Sequence, residues 1–125
     1  MILDTNALSA WAEGNQACRP FFAQARRIVV PVIVLGEYFY GIRQSRFRSR
    51  YEAWLAAIAP DVELATVTPV TANQYGDLRL CLRTQGTPIP ANDVWIAAVA
   101  LEMRLPLLSN DSRFDHCPEI QRIAF

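Results

Sequence analysis

The chain has 125 residues, 52% of them apolar, which is enough for one hydrophobic core and too few for two. Its twelve acidic and twelve basic residues cancel, and a net charge of zero argues against a protein that grips nucleic acid by bulk electrostatics. No apolar run reaches the roughly 18 residues of a membrane span and the first residues lack a signal-peptide pattern, so we expect one soluble, cytoplasmic domain over residues 1–125.

Short apolar strands alternate with helices along the chain. In chain order, the pattern predicts a strand over 1–4, helices over 5–14 and 16–27, a strand over 28–31, helices over 31–44 and 46–59, a strand over 62–67, helices over 71–86 and 94–104, and strands over 105–110 and 120–125. Strands that alternate with helices indicate a parallel sheet covered on both faces. We therefore expect an α/β fold.

Four acidic residues lie in apolar surroundings. Asp4 ends "MILD" and Asp111 follows "PLLSN", so both occupy the carboxyl ends of predicted strands, where parallel α/β sheets bind ligands. Asp93 begins a predicted helix, and Glu37 lies about two turns into another. All four side chains can therefore project over the same edge of the sheet.

Three of these acids also have a purely structural explanation. Asp4 can cap the helix that follows it, and Asp111 can form an Asx turn. Asp93 or Asn92 can cap the helix over 94–104, and taken alone Asp93 fits that role best, because Asp and Asn are preferred at helix starts. These explanations need no shared site.

Neither a helix cap nor a turn accounts for Glu37. It lies mid-helix among apolar and aromatic residues, and a glutamate is rarely buried there without a partner. The next basic residue, Arg43, falls off the helix face that Glu37 occupies. Its partner is therefore either a distant arginine or a bound cation.

Taken together, the four carboxylates indicate a metal site. Like charges that converge without lysine or histidine repel one another, and a divalent cation held by oxygen ligands relieves that repulsion. Mg²⁺ or Mn²⁺ fits best, because few protein ligands leave coordination positions for water and a substrate phosphate. Such a cation polarises phosphate and activates water, which points to phosphodiester hydrolysis.

The motifs around the acids resemble those of the PIN-domain ribonucleases, and especially of the VapC-type toxins of bacterial toxin–antitoxin pairs. The resemblance covers nearly the whole chain: "ILDTNALSA" with Asp4, "VIVLGEYFYGI" with Glu37, "IPANDVWIAAVA" with Asp93 and "LLSNDSRF" with Asp111. Ser109 stands where the family often has threonine, and Phe114 where it has an aromatic residue. Each motif is weak alone, but four in this order are specific.

The resemblance implies a single PIN domain over residues 1–125, with a three-layer α/β/α fold around a central, mostly parallel sheet. It implies that the four acids are catalytic and hold Mg²⁺ or Mn²⁺, and that the substrate is RNA, as a single-stranded loop of the tRNA or rRNA kind. It also implies a homodimer and a cognate antitoxin that blocks the site. Supporting residues would orient water, metal ligands or phosphate, or else stabilise turns: Asn6, Asn92, Ser109 and Asn110.

The sequence also bears on three alternatives to an RNA-cleaving enzyme. A haloacid-dehalogenase phosphatase needs a second aspartate where this chain has Asn6, and both it and a response-regulator receiver rely on a lysine, which the chain lacks. A non-catalytic PIN-like module that binds RNA or protein is the stronger rival, although such a module would normally have lost one of the acids. Mg²⁺-dependent RNA cleavage, absent in an Asp4→Ala control, would separate enzyme from module.

An arginine-rich segment and the cysteines carry weaker signals. "RQSRFRSR" places an aromatic residue among four arginines: Arg43, Arg46, Arg48 and Arg50. Such a segment can bind an RNA backbone or an antitoxin. It can also be the solvent-exposed start of a helix, which is the interpretation that we favour. Cys18, Cys81 and Cys117 form no Cys-x-x-Cys pair, so neither a disulfide framework nor a zinc site is indicated.

Overall fold

The computed structural model describes residues 1–125 and contains one five-stranded, fully parallel sheet. The strands are β1 Ile2–Leu3, β2 Val29–Pro31, β3 Glu63–Ala65, β4 Leu107–Leu108 and β5 Arg122–Ile123. The helices are α1 Thr5–Ala12, α2 Arg19–Gln24, α3 Val32–Arg43, α4 Arg48–Ile58, α5 Pro69–Gln85 and α6 Ala91–Met103, with 3₁₀ turns at Ala59–Asp61 and Ser112–His116. The alternation predicted from the sequence is thus confirmed.

Strand β1 is the centre of the sheet. The order is β3-β2-β1-β4-β5, so β1 pairs with β2 on one side and with β4 on the other. Ile2 aligns with Leu107 and with Val29, and all three side chains are fully buried. Because the strands are parallel, the segments that follow β1, β2 and β4 leave the same edge of the sheet side by side.

The helices form two packed groups around the sheet. One contains α1, α3 and α4, which contact one another, and the other is the pair α5 and α6. Helix α5 begins with a capping box between Thr68 and Thr71 and ends at Gly86, whose φ of 75° is left-handed. The buried apolar residues form one cluster that includes both groups and the strands. No helix is long and apolar enough to cross a membrane.

Proline positions explain most differences between predicted and observed helix boundaries. Pro31 ends β2 in an extended conformation (φ −60°, ψ 142°) and is not the first residue of a helix. Pro69 opens α5 two residues before the predicted start. Helix α6 begins at Ala91, directly after Pro90, and therefore earlier than residue 94. The predicted helix over 16–27 is reduced to the six residues of α2.

Candidate active site

All four acids identified in the sequence line one open cleft of about 670 Å³ at the carboxyl edge of the sheet. Asp4 follows β1, Asp111 follows the adjacent β4, Glu37 comes from α3 after β2, and Asp93 lies in the first turn of α6. The remaining lining residues are Thr5, Asn6, Tyr40, Pro90, Ala91, Asn92 and Arg113. The sheet order therefore brings together the residues that the sequence predicted would meet.

Asp4 lies buried at the bottom of the cleft, with only 3% of its surface exposed. One carboxylate oxygen accepts a hydrogen bond from the backbone N–H of Ala7 at 2.7 Å, and the other accepts one from the hydroxyl of Ser109. Burial raises the pKa of Asp4, and these two hydrogen bonds oppose that rise. Asp4 thus both caps α1, as predicted, and joins the two central strand ends.

Glu37 is held by neutral donors. The hydroxyl of Thr5 donates to one of its carboxylate oxygens, and the side-chain amide of Asn92 donates to the other at 2.8 Å. It forms no ion pair, so the distant arginine considered from the sequence is absent. Glu37 therefore enters the cleft oriented but without a compensating charge.

Arg113 supplies the only positive charge in the cleft. Its Nη2 lies 2.5 Å from Oδ2 of Asp111 and 3.5 Å from Oδ2 of Asp93. Asp111 also accepts a hydrogen bond from the backbone N–H of Arg113 at 2.9 Å, which is the Asx turn predicted for it. That turn directs the Arg113 side chain back over the acids.

The pKa values of Asp93 and Asp111 move in opposite directions. Burial raises the pKa of Asp93 to about 6; Arg113 opposes the rise, and Asp111, Glu37 and Asp4 add to it. The hydrogen bonds from Arg113 lower the pKa of Asp111. The cleft therefore holds more negative charge than its single arginine compensates.

The predicted capping role of Asp93 and Asn92 is wrong. Pro90 is the N-cap residue of α6, and no side chain caps that helix. Because α6 begins at Ala91, Asn92 and Asp93 lie within its first turn, and their side chains are free to face the cleft. Asn92 contacts Glu37, and Asp93 contacts Arg113.

The other supporting residues have different surroundings. Asn6 lines the cleft. Ser109 is fully buried, donates to Asp4 and accepts a hydrogen bond from the backbone N–H of Asp111 at 3.0 Å. The side-chain oxygen of Asn110 instead accepts from the backbone N–H of Phe125 at 2.8 Å, so this residue ties down the segment after β5.

The four carboxylates are the kind of ligand that a hard divalent cation prefers, but they are too far apart in this conformation to hold one ion together. No three histidine, cysteine, aspartate or glutamate side chains lie close enough to share one ion. The four acids nevertheless present only oxygen ligands to one cleft, and the pKa of Asp93 is raised first by burial and then by three neighbouring acids, whose repulsion a cation would relieve. Arg113 now occupies part of that space, and its half-exposed side chain has room to leave.

Three cleft residues were not predicted as functional: Thr5, Tyr40 and Arg113. The signal for Arg113 was its position two residues after an Asx-turn aspartate, and the signal for Thr5 was its place directly after Asp4. Tyr40 stands 70% exposed and stacks on no other ring, which a sequence pattern does not reveal.

The arginine-rich segment lies outside the cleft. Arg43 lies over the ring of Phe39 and Arg46 over that of Phe47, with distances of 5.2 and 4.7 Å to the ring centroids. Arg48 pairs with Glu52 at 2.6 Å in the next turn of α4. These local contacts agree with a solvated helix start. The three cysteines are free.

Comparison with known proteins gives one family. A family model described as PIN domain matches residues 1–120. The chain is 30% identical over 116 residues to Ribonuclease VapC5 of Mycobacterium tuberculosis, in an alignment covering 90% of this chain and 84% of that protein. The sequence resemblance is thereby confirmed.

Solved structures give the same result for the fold. The toxin–antitoxin complex VapBC2 of Rickettsia felis, bound to a promoter DNA fragment, matches with a TM-score of 0.87 and 24% identity over 98% of this chain and 96% of that one. VapBC-5 of Mycobacterium tuberculosis matches with a TM-score of 0.78 and 26% identity over 99% and 97%. The expected α/β/α fold is confirmed.

Proposed function

Because this chain belongs to the PIN-domain family, among the VapC ribonucleases, we propose that its acidic cleft hydrolyses RNA with the help of Mg²⁺ or Mn²⁺. The protein is an endoribonuclease toxin whose activity a cognate antitoxin blocks. The observation that carries the proposal is the convergence of Asp4, Glu37, Asp93 and Asp111 on one cleft. We infer that all four are catalytic.

The four carboxylates would hold the cation, directly or through water. When bound, Mg²⁺ or Mn²⁺ supplies positive charge to the scissile phosphate and makes water a better nucleophile. Asp4 is suited to anchor the ion, because Ser109 and Ala7 fix both of its oxygens. Thr5 and Asn92 orient Glu37 in the same way.

Arg113 would assist the substrate. A guanidinium binds phosphate through a fork of donors, and this one already lies between Asp93 and Asp111. With the carboxylates engaged by a cation, Arg113 would be free to contact an RNA phosphate beside them. Its half-exposed side chain permits that movement.

The partners follow from the same assignment. The substrate would be a single-stranded RNA loop of the tRNA or rRNA kind, met in the cytoplasm, and the active chain would be a homodimer. The structural relatives are VapBC toxin–antitoxin complexes, which supports an antitoxin seated over the cleft. Light scattering on the purified protein tests the dimer: a monomer at micromolar concentration would contradict it.

Cleavage of RNA by the pure protein tests the function. We expect cleavage with Mg²⁺ or Mn²⁺, none in EDTA, and none from a Glu37→Gln protein, which keeps hydrogen-bonding capacity but loses the charge. Activity supported by zinc alone would contradict the hard-oxygen site. Binding of RNA without cleavage under all these conditions would instead favour a non-catalytic PIN-like module.

A further inference from the structure

The stretch that follows β4, residues 109–115, carries two of the side chains in the acidic cleft. It places Asp111 and Arg113 there, and we call it the cleft segment. Phe114 is its only side chain in the hydrophobic core, with 1% of its surface exposed. The exact position of Asp111 therefore depends on the polar contacts that hold the segment to the rest of the protein.

Arg122 contacts both ends of the cleft segment. Its Nη1 donates a hydrogen bond to the backbone carbonyl oxygen of Ser109 at 3.0 Å. Its Nε and Nη2 donate to the two carboxylate oxygens of Asp115, at 2.6 and 2.8 Å. One planar guanidinium thus bridges the first and the last residue of the segment.

Arg122 is well placed to hold the segment firmly. Its side chain is only 16% exposed, whereas Arg27, which forms a similar forked pair with Glu63, is 49% exposed. Arg122 also lies in β5, which pairs with β4, and the neighbouring Ile123 carbonyl accepts a hydrogen bond from the N–H of Ser109 at 2.9 Å. Forked, charge-assisted bonds from a mostly buried arginine are stronger and more directional than an exposed ion pair. The contact therefore ties the segment to the sheet.

Arg122 has no direct contact with the acids of the cleft. It does not line the cleft, and it forms an ion pair with none of the four acids. Its charge nevertheless reaches Asp111: hydrogen bonds from Arg113 are the main cause that lowers the pKa of Asp111, and the charge of Arg122 adds to it. Arg122 can therefore influence the acids in two ways, through the segment that it holds or through its charge.

We propose that Arg122 is a positioning residue, which sets the place of Asp111 in the metal site by clamping both ends of the cleft segment. The inference rests on the proposed function, in which Asp111 helps to hold the cation. Groups that orient metal ligands from behind matter for binding, and their loss costs about tenfold to a hundredfold in metal affinity or activity.

Amide hydrogen exchange tests the clamp in the full chain without metal or RNA. Two N–H groups report on the cleft segment: that of Asp111 donates to the Ser109 hydroxyl at 3.0 Å, and that of Arg113 donates to the Asp111 carboxylate at 2.9 Å. In Arg122→Gln both should exchange about tenfold faster or more, because local opening becomes easier. The N–H of Ile2, in the central strand, should keep its rate. Unchanged exchange at Asp111 and Arg113 would overturn the proposal.

The affinity for Mg²⁺ separates the clamp from a simple effect of charge. Removal of a positive charge near Asp111 would by itself strengthen the binding of a cation, whereas loss of the clamp should weaken it. We expect Arg122→Gln to raise about tenfold the Mg²⁺ concentration that gives half of the thermal stabilisation. Asp115→Asn should act in the same direction. The double variant should be no worse than Arg122→Gln alone, because both changes break the same contact.

Glu63→Gln is the matched control for Asp115→Asn. It breaks a pair with Arg27 that is forked in the same way, at 2.7 and 2.8 Å, and Glu63 is 45% exposed against 52% for Asp115, but Glu63 lies outside the cleft. It should change neither the exchange of the cleft segment nor the response to Mg²⁺. Unchanged or tighter Mg²⁺ binding in Arg122→Gln would overturn the clamp alone. If Mg²⁺ failed to stabilise even the wild type, the proposed metal site would be refuted.

Discussion

The guanidinium of Arg113 holds the carboxylate of Asp111 at two points, with Nη2 2.5 Å from Oδ2 and Nε 3.0 Å from Oδ1. This contact places a built-in positive charge among four acids that are expected to bind a cation. A divalent ion held by these acids would therefore compete with Arg113, and the effect of that competition on stability can be measured without RNA.

Arg113→Gln should lower the melting temperature of the metal-free protein by about 4 °C, because Asp111 and Asp93 lose their shared counter-ion. The same change should enlarge the stabilisation that Mg²⁺ confers, because the ion no longer displaces a resident charge. Thermal melts with and without Mg²⁺ measure both effects.

Arg27→Gln is the matched control for Arg113. Arg27 makes an equally close two-point pair with Glu63, at 2.7 and 2.8 Å, and is similarly exposed, but it lies far from the cleft. Its loss should leave the response to Mg²⁺ unchanged. If both variants responded alike, Arg113 would be an ordinary surface ion pair.

Asp93→Asn should reduce Mg²⁺-dependent RNA cleavage about a hundredfold or more, because a charged ligand is lost. Near neutral pH the metal-free variant should be at least as stable as the wild type, since burial and three neighbouring acids disfavour the charged form of Asp93. Cleavage assays test the loss of activity, and thermal melts with and without Mg²⁺ test the stability. An active variant, or one that Mg²⁺ stabilises as much as it does the wild type, would remove Asp93 from the metal site.

The pH dependence of stability should differ between the wild type and Asp93→Asn. The pKa of Asp93 is about 6 in the folded chain against an ordinary value of 3.8, so between these values the folded protein keeps a proton that the unfolded chain releases. The contribution of Asp93 to the free energy of unfolding therefore rises as the pH falls through this range. In metal-free melts, the difference in melting temperature between Asp93→Asn and the wild type should be largest above pH 6 and shrink toward pH 4. A difference that stays constant with pH would contradict the raised pKa.

Tyr40→Ala should weaken RNA binding about tenfold, because an exposed ring at the rim of the cleft offers a stacking surface for a base. Leu80→Ala removes a side chain of similar exposure (65% against 70%) outside the cleft and is the control. Measurement in an Asp93→Asn background separates binding from cleavage. If stacking on Tyr40 is the cause, an RNA that lacks the stacked base should bind equally well to the protein with Tyr40 and to the Tyr40→Ala protein.

The architecture and the four acids were accessible from sequence because each rests on a local pattern. Alternating strands and helices imply a parallel sheet, and Asp4 and Asp111 follow strands that turn out to be neighbours. The apolar surroundings of Glu37 and the position of Asp93 at the start of a predicted helix indicated the same edge, and the family resemblance agreed. The cap assigned to Asp93 failed because Pro90 starts the helix earlier than apolar periodicity suggests.

Features created by packing between distant segments were not accessible. The Asn92 contact with Glu37 joins residues 55 positions apart, and no spacing rule connects them. The hydroxyl of Tyr38 is buried without a hydrogen-bond partner, which depends on which helices close over it. Arg113 lies in the motif around Asp111, but no sequence pattern shows that its guanidinium folds back to contact both Asp93 and Asp111.

The bond between Asp4 and Ser109 joins residues 105 positions apart, so the centre of the acidic cleft combines a part of the chain made early in translation with a part made late. Asp4 is translated long before Ser109. Strand β1 lies between β2 and β4 in the sheet, so one of its two neighbours is translated late. A nascent chain that has not passed β4 therefore lacks Ser109 and Asp111, and its acidic site is incomplete.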